Sequence, residues 1–334
     1  MKTLLKKITV LYNLPSGNNL DDLDTQKSAL EVAEGLKQAG YVTNLLGITT
    51  GEISKVKNIK ADLVFNLVEW AGRDYVLGVE VIKNLEAAAL PYTGSNAKGY
   101  ELSCNKVLMK KQLDIVAIPT PKWQIIDNLK PTLPAGGFKI ENLEFPMIVK
   151  PTLEHSAIGI SQASVCINEL QLKEQVKKLL DIYNQPILVE QYLEGDEAQV
   201  TVLEKHGKPW VLPPAVFRYQ TKPGYWPINT YEAKWDDTHW EGQMSAWTED
   251  VDPKLIIEMQ DLAKKCYLHL AGRSYPRIDM RINNDRVYVL EVNNNPGIDF
   301  DPESGITVSA KKAELDWSGL LTNIVQEAYD PIIV

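Results

Sequence analysis

The chain has 334 residues, 44% of them hydrophobic and 24% charged, with a formal net charge of −9. That length suits two or three domains of about 100–200 residues with a sizeable core, and the acidic balance argues against nucleic acid, whose backbone needs concentrated Lys and Arg. The N-terminus carries no apolar run of signal-peptide length, no stretch approaches the roughly 20 apolar residues of a membrane span, and three scattered cysteines (Cys104, Cys166, Cys266) point to a reduced cytoplasmic protein.

The first 102 residues alternate strand and helix signals. Ile8 to Tyr12 is a short β-rich run. Asp22 to Gln38 carries Ala29, Leu30, Val32, Ala33 and Leu36 at helical spacing, and Gly40 follows as a stop. Tyr41 to Leu46 and Asp62 to Asn66 are further strands, the second with the unbroken apolar centre of a buried parallel strand. A helix from Leu77 to Ala89, then a short strand and turn at Leu90 to Gly94, complete a β-α-β rhythm that predicts a small open parallel sheet.

Residues 103–185 read as an α+β unit. Leu102 to Gln112 is a helix carrying Lys106, Lys110 and Lys111, and Pro119, Pro121, Pro131, Pro134 and the pair Gly136-Gly137 punctuate a loop. Phe145 to Pro151 is a strand, Gly159 to Ala163 a second, and Asn168 to Tyr183 a helix. From residue 186 onward, Pro186 to Leu193 and Ala198 to Leu203 look like strands of one antiparallel sheet. Residues 218–250 have little periodicity and many Trp, Tyr, Pro and Gly, the mark of a lid or binding loop. A helix from Pro253 to Leu270 precedes a hairpin of Pro276 to Ile282 and Val287 to Asn293, turning at Asn283 to Arg286.

The strongest chemical signal is Leu290-Glu-Val-Asn-Asn-Asn-Pro-Gly297. Strand side chains alternate faces, so Glu291 and Asn293 project together, about 7 Å apart. A carboxylate and an amide oxygen suit a hard cation such as magnesium, which completes its shell with water and phosphates. On the paired strand Arg277 and Asp279 also share a face. Asp279 adds a carboxylate, and Arg277 can hold an oxyanion or a substrate carboxylate; the alternative is a surface ion pair. Lys150, closing the apolar run Pro146-Met-Ile-Val-Lys150, and Lys106 are candidate phosphate cations. Glu190 and Glu197 are placed to accept from an adenine amino group and ribose hydroxyls.

Taken in order, Pro91-Tyr-Thr-Gly-Ser95, Lys106, Ile148-Val-Lys-Pro151, Val189-Glu-Gln-Tyr-Leu193, Tyr231-Glu-Ala-Lys-Trp235, Arg277-Ile-Asp279 and Glu291 to Gly297 resemble the D-alanine–D-alanine ligase family of ATP-grasp ligases. The resemblance spans about Phe65 to Gly297. It implies an N-terminal parallel α/β domain (the pre-ATP-grasp domain), a central α+β domain at 103–185 and a C-terminal α+β domain at 186–334 with a lid at 218–250, ATP lying between the last two. By the same resemblance Lys106, Lys150 and Lys234 contact phosphates, Glu190, Tyr192 and Leu193 read adenine, and Glu197 binds ribose. Asp279, Glu291 and Asn293 hold two Mg2+ ions, for which Mn2+ can substitute. Arg277 stabilises the tetrahedral oxyanion, with Lys150 and Lys234 assisting, and Arg277, Gly297, Ser156 and Trp235 meet the substrates. The partners implied are an amino-acid or small carboxylate donor and an amine acceptor, and the family's frequent N-terminal pairing allows a homodimer.

The substrate half departs from the pattern. The family's Gly-rich turn followed by Glu and Ser after the first strand, whose Glu orients the donor's amino group, is replaced by Asn13 to Asp22. Asp21, Asp22 and Asp24 are the nearby acids. The family's His-Gly segment is Leu67-Val-Glu-Trp-Ala-Gly-Arg-Asp74 here. The lid carries Trp226, Trp235, Trp240 and Trp247, which either line a pocket for a flatter substrate or pack the lid. Asp299, Asp301 and Glu303 stand where the family has a Ser-rich stretch, and they would repel a carboxylate and attract an amine. Four functions follow: a ligase with a divergent substrate pocket, a cell-wall D-alanine–D-alanine ligase, a specialised-metabolite ligase of the mycosporine type, or a non-catalytic ATP-binding regulator. The chemistry implied is phosphorylation of a carboxylate to an acyl phosphate, followed by amine attack. Replacing Glu291 by Ala removes a metal ligand and is expected to abolish amine-dependent ADP release; full activity in that variant would exclude Glu291 from the metal site.

Overall fold

The computed structural model describes residues 6–15, 20–70, 72–127, 138–236, 238–270 and 272–329. The loop predicted around Pro131, Pro134 and Gly136-Gly137 lies outside them. The described residues form three sheets.

The first sheet is parallel, in the order β2-β1-β3. It comprises β1 (Lys7–Asn13), β2 (Val42–Ile48) and β3 (Leu63–Asn66), with α1 (Leu20–Gln38) crossing from β1 to β2. Alternate residues of β1 enter different cores. Ile8, Val10 and Tyr12 pack with Ala29, Val32 and Leu36 of α1, whereas Leu11 packs with Val81, Ile82 and Leu85 of α2 (Tyr75–Ala87). Both faces are therefore covered, as the apolar β3 run requires. The strand expected at Leu90 to Gly94 is reduced to one parallel bridge, Val64 to Tyr92. Gly94 turns the chain away with φ +87, and a Cβ there would lie 2.1 Å from Asn295 Oδ1, so only glycine lets this turn meet the Asn294-Asn295 loop.

The helix predicted at Leu102 to Gln112 is two helices, α3 (Ala97–Cys104) and α4 (Lys106–Ile115). Asn105 leaves helical geometry (φ −127, ψ 98) and its side chain accepts from the Val107 and Leu108 amides, so it starts a new helix. The central sheet has the antiparallel order β4-β7-β5-β6, from β4 (Trp123–Ile126), β5 (Met147–Pro151), β6 (Val165–Cys166) and β7 (Ile187–Gln191), and α5 (Glu169–Tyr183) backs it. Two expectations change here. Residues 159–163 are not a strand, because Ser156, Ala157 and Gly159 all take positive φ and the chain curls before reaching β6. The strand expected to open the C-terminal sheet, β7, pairs instead with β4 and β5.

The C-terminal sheet runs β11-β10-β8-β12-β13, with β9 also on β8. Its members are β8 (Glu197–Lys205), β9 (Lys208–Val211), β10 (Ala215–Tyr219), β11 (Ser245–Thr248), β12 (Arg277–Asn283) and β13 (Arg286–Asn293). Between β10 and β11 lies the short helix α6 (Tyr231–Trp235), and α7 (Pro253–His269) packs on β8 and β13. The β12–β13 hairpin turns through Asn284 and Asp285, both at positive φ, as a two-residue turn between twisted strands demands. Finally α8 (Gly305–Lys312) and α9 (Trp317–Tyr329) return to the first sheet: Ala310, Leu320, Ile324 and Val325 share one core with Ile8, Val10 and Phe65.

Candidate active site

The β12–β13 pairing brings the expected metal-binding residues together. Arg277 faces Asn293 and Asp279 faces Glu291 across the ladder. Arg277 donates two hydrogen bonds to Asp279, Nε to Oδ1 at 2.7 Å and Nη2 to Oδ2 at 2.8 Å, and Asn293 Nδ2 donates to Asp279 Oδ2 at 3.0 Å. Burial pushes the Asp279 carboxyl up, while Arg277 pulls it back. Glu291 behaves oppositely. Burial alone would raise it, yet Lys106, Lys150 and Arg277 surround it and hold it well below the usual carboxylate range. Lys106 sits 3.2 Å from Glu291 and donates to the Glu154 carbonyl at 2.8 Å. Among the described residues no three His, Cys, Asp or Glu side chains cluster as a metal cage. Two carboxylates and an amide instead fit magnesium, which keeps waters and phosphate oxygens in its shell.

Glu190 is buried to 1% exposure, and both its oxygens are engaged: Lys110 at 2.5 Å and Lys150 at 2.8 Å. Its carboxyl is driven up by burial, but the two ammonium groups overcome this and keep it ionised. Lys110 is completely buried and also donates to Thr120 Oγ1 at 2.6 Å, which in turn donates to the Val289 carbonyl. The side chain expected to read adenine therefore first fixes Lys150, and Lys110, which the sequence places on a helix without a role, is its second cation. Its signal was present, since Met109, Lys110 and Leu113 share the buried stripe of α4.

Glu197 is held in a comparable way by Arg281, Nη2 to Oε1 at 2.5 Å, and Arg281 also donates to the Gly195 and Pro227 carbonyls. Tyr192 is buried edge-on against Trp226, in a cluster with Ile148, Val165 and Ile228. Leu193 follows it, half-buried. Together these form an apolar cluster beside two carboxylates, surroundings that would suit an adenosine.

Beyond Lys150 the chain curls through His155 and Ser156. His155 Nε2 has no hydrogen-bond partner among the described residues, although it is shielded from water. Burial, with Lys106 and Lys234 nearby, pushes this imidazole down to about 4, so it is neutral. An orphaned imidazole beside two ammonium groups fits an anionic ligand such as a phosphate. Trp235 Nε1 donates to the Ser156 carbonyl at 3.0 Å, which joins the lid to this loop. Burial and Arg277 lower Lys234, whereas Glu69, Asp24 and Asp279 raise it. The other lid tryptophans pack within their surroundings: Trp226 on Tyr192, Trp240 on Tyr225, and Trp247 on Phe217 with its Nε1 on the Glu303 carbonyl. Of the two readings of these aromatics, packing describes Trp226 and Trp247, whereas Trp240 touches Tyr225 yet stays 41% exposed.

Glu69 is the residue the sequence reading passed over. It lies just past the C-terminal end of β3, its amide held by Asn13 Oδ1 at the end of β1, where open parallel sheets bind ligands. A Cβ on Gly297 would stand 3.5 Å from Glu69 Oε1 and meet no other atom within 4 Å. Burial pushes its carboxyl up to about 7, Asp24 adding to the rise and Lys234 and Arg277 opposing it. Asp24 itself is raised by burial, and Asp21 and Asp22 lie outside the described side chains. Asp299 and Asp301 fold their own loop, accepting from the Asp301 and Glu303 amides.

Several known proteins similar to this chain are D-alanine–D-alanine ligases. The family model described as D-ala D-ala ligase C-terminus matches residues 113–326. A D-alanine–D-alanine ligase from Marinomonas sp. (strain MWYL1) is 32% identical, covering 99% of this chain and 98% of its own. The chain belongs to the D-alanine–D-alanine ligase family. It is accordingly an ATP-dependent ligase that forms C–N bonds, which sets aside a purely regulatory binder. The ATP-grasp fold is shared with two solved structures: the Bacillus anthracis D-alanine–D-alanine ligase complexed with ATP (TM-score 0.74, 21% identity, 97% of this chain and 98% of that one) and the VanG D-Ala:D-Ser ligase from Enterococcus faecalis (TM-score 0.72, 20% identity, 97% and 99%). Within this family fold the Lys110–Glu190–Lys150 group bears directly on stability. Lys110→Met leaves the buried carboxylate with one cation and is expected to cost about 3–5 kcal/mol in denaturant unfolding, much of it regained in Lys110→Met/Glu190→Gln.

Proposed function

We propose that the protein joins the carboxylate of one amino acid to the amine of another at the expense of ATP, in a pocket where Glu69 binds the donor's ammonium. The observation that carries this reading is Glu69 itself, a carboxylate facing the open side of Gly297 with Arg277 and Lys234 in its field. A zwitterionic amino acid meets both halves of that arrangement: ammonium to Glu69, carboxylate toward the cations. ATP lies between the central and C-terminal sheets. Its adenine meets Tyr192 and Leu193 beside Glu190, its ribose meets Glu197, and its phosphates meet Lys106, Lys150, Lys234 and the His155–Ser156 turn.

Asp279, Glu291 and Asn293 would hold the magnesium ions, which supply charge neutralisation on the phosphate oxygens. The chain's own groups do the rest. Lys150, fixed by Glu190, and Lys234, carried by the lid, bear on the phosphoryl group as it passes to the donor carboxylate. Arg277 bears on the carbonyl oxygen as the acceptor amine attacks. Trp235 and its neighbours cover the site, so that water does not consume the acyl phosphate.

A strict D-alanine–D-alanine ligase is the second reading, favoured by the nearly full-length match at 32% identity. ADP release with magnesium-ATP across D- and L-amino acids and dipeptides separates the two: turnover by D-alanine alone establishes the second. The role of Glu69 is tested through pH. Only its ionised form attracts an ammonium, so kcat/KM for the donor should rise as pH climbs through about 7 and level off above. The sign for stability is opposite: a raised carboxyl binds its proton more tightly in the folded state, so Glu69 weakens the empty fold as pH rises from its ordinary value toward 7. Glu69→Gln should lower kcat/KM for the donor about 10- to 100-fold at pH 8 and flatten that limb. An unchanged acid limb in Glu69→Gln would assign it to another group.

A further inference from the structure

The lid has its stem on one sheet and its tip on another. Its stem is the β10–β11 pair of the C-terminal sheet, with Phe217 opposite Trp247. Its tip meets the loop that follows β5 of the central sheet: the Tyr231 amide donates to the Ile160 carbonyl at 3.0 Å, Trp235 Nε1 to that of Ser156, and a single side chain, Gln162, adds three hydrogen bonds more. Gln162 Oε1 accepts from the Trp226 amide at 2.7 Å, while Nε2 donates to the Trp226 carbonyl at 3.2 Å and to Glu241 Oε2 at 3.0 Å. The backbone N–H and C=O of one lid residue and one lid carboxylate are thus satisfied by one glutamine.

Glu241 continues the path. It is buried to 7% exposure, and its Oε2 also accepts from Thr230 Oγ1 at 2.6 Å. Among the described residues no Lys, Arg or His lies within ion-pair distance of it. A buried carboxylate held by neutral donors alone is unfavourable for folding, so this one is better explained by what it holds in place. Thr230, fully buried, caps α6 by accepting from the Ala233 amide at 3.1 Å. The next residue of that helix is Lys234. The turn carrying Glu241 also lies against α6, since a Cβ on Gly242 would be 3.3 Å from the Ala233 carbonyl. A continuous hydrogen-bonded path therefore runs from Gln162 through Glu241 and Thr230 to the helix that carries Lys234.

We propose that Gln162 and Glu241 are positioning residues for Lys234: they latch the lid across the two sheets and set α6 over the site. Hydrogen bonds without an opposing cation to lock them suit this task, because a latch must open for each product to leave. The role of Lys234 in turnover rests on the ligase reading above, but the latch itself does not.

Two measurements on Gln162→Met and Glu241→Gln, both close in size to the native residues, test it. The first needs no turnover: trypsin cleavage after Lys234 in the free protein should be about tenfold faster in each variant than in wild type, with the denaturation midpoint little changed. The second compares ADP released with ligated product. Wild type should release one ADP per product, and the variants should release an excess, with kcat for ligation lowered and KM for ATP nearly unchanged, because an ajar lid admits water to the acyl phosphate. Equal cleavage rates in wild type and variants overturn the latch. Faster cleavage with full coupling overturns the positioning of Lys234. If wild type ligates nothing while the variants are cut faster, the latch stands and the proposed function falls.

Discussion

The site depends on keeping Glu190 ionised where water does not reach. Moving a charge out of water costs several kcal/mol unless partners replace its hydration, and Lys110 and Lys150 do so from opposite sides. Lys110 comes from α4, Lys150 from β5 and Glu190 from β7, so the ion group also ties a helix to the central sheet. Through Thr120 it reaches the Val289 carbonyl on β13, the strand that bears Glu291. The central and C-terminal sheets are thereby positioned relative to one group of charges.

On this frame the two halves of the site are charged differently. Around Glu291 the cations prevail: Lys106, Lys150 and Arg277 hold it ionised, and the neutral His155 beside them has an unused nitrogen. In the proposed reaction that half takes the polyphosphate and its metal. Toward the first sheet, Glu69 and Asp24 lie among less polar surroundings and oppose Lys234 and Arg277. That half suits a ligand with both signs of charge. The lid, whose Lys234 responds to both groups, lies where they meet.

Much of the arrangement around Glu291 was legible because it depends on local rules. Strand alternation put Glu291 with Asn293 and Arg277 with Asp279, and the Asn-Asp turn marked the hairpin, but a one-residue register shift between Asp279 and Met280, which the turn does not foretell, is what sets the two pairs opposite each other. Lys150 could be found from the apolar run it closes. What stayed hidden depends on non-local pairing. The strand at 187–191 carries no mark of which sheet it joins, and it joined the central one. Glu190 looked free because nothing local shows that Lys110, on another element, points at it. Glu69 sits in an irregular segment without periodicity, and only the rule that ligands gather beyond the C-terminal ends of parallel strands could have singled it out. The Asn105 break was readable as a helix cap but was overridden by an unbroken helical pattern.

Whether one cluster of lysines, carboxylates and Asn293 holds a magnesium nucleotide is decided by calorimetric titration with a non-hydrolysable ATP analogue, with and without magnesium, on wild type and Lys150→Met. Binding should need magnesium and weaken about tenfold or more in Lys150→Met. Binding of equal strength with and without the metal, untouched by loss of Lys150, would contradict this.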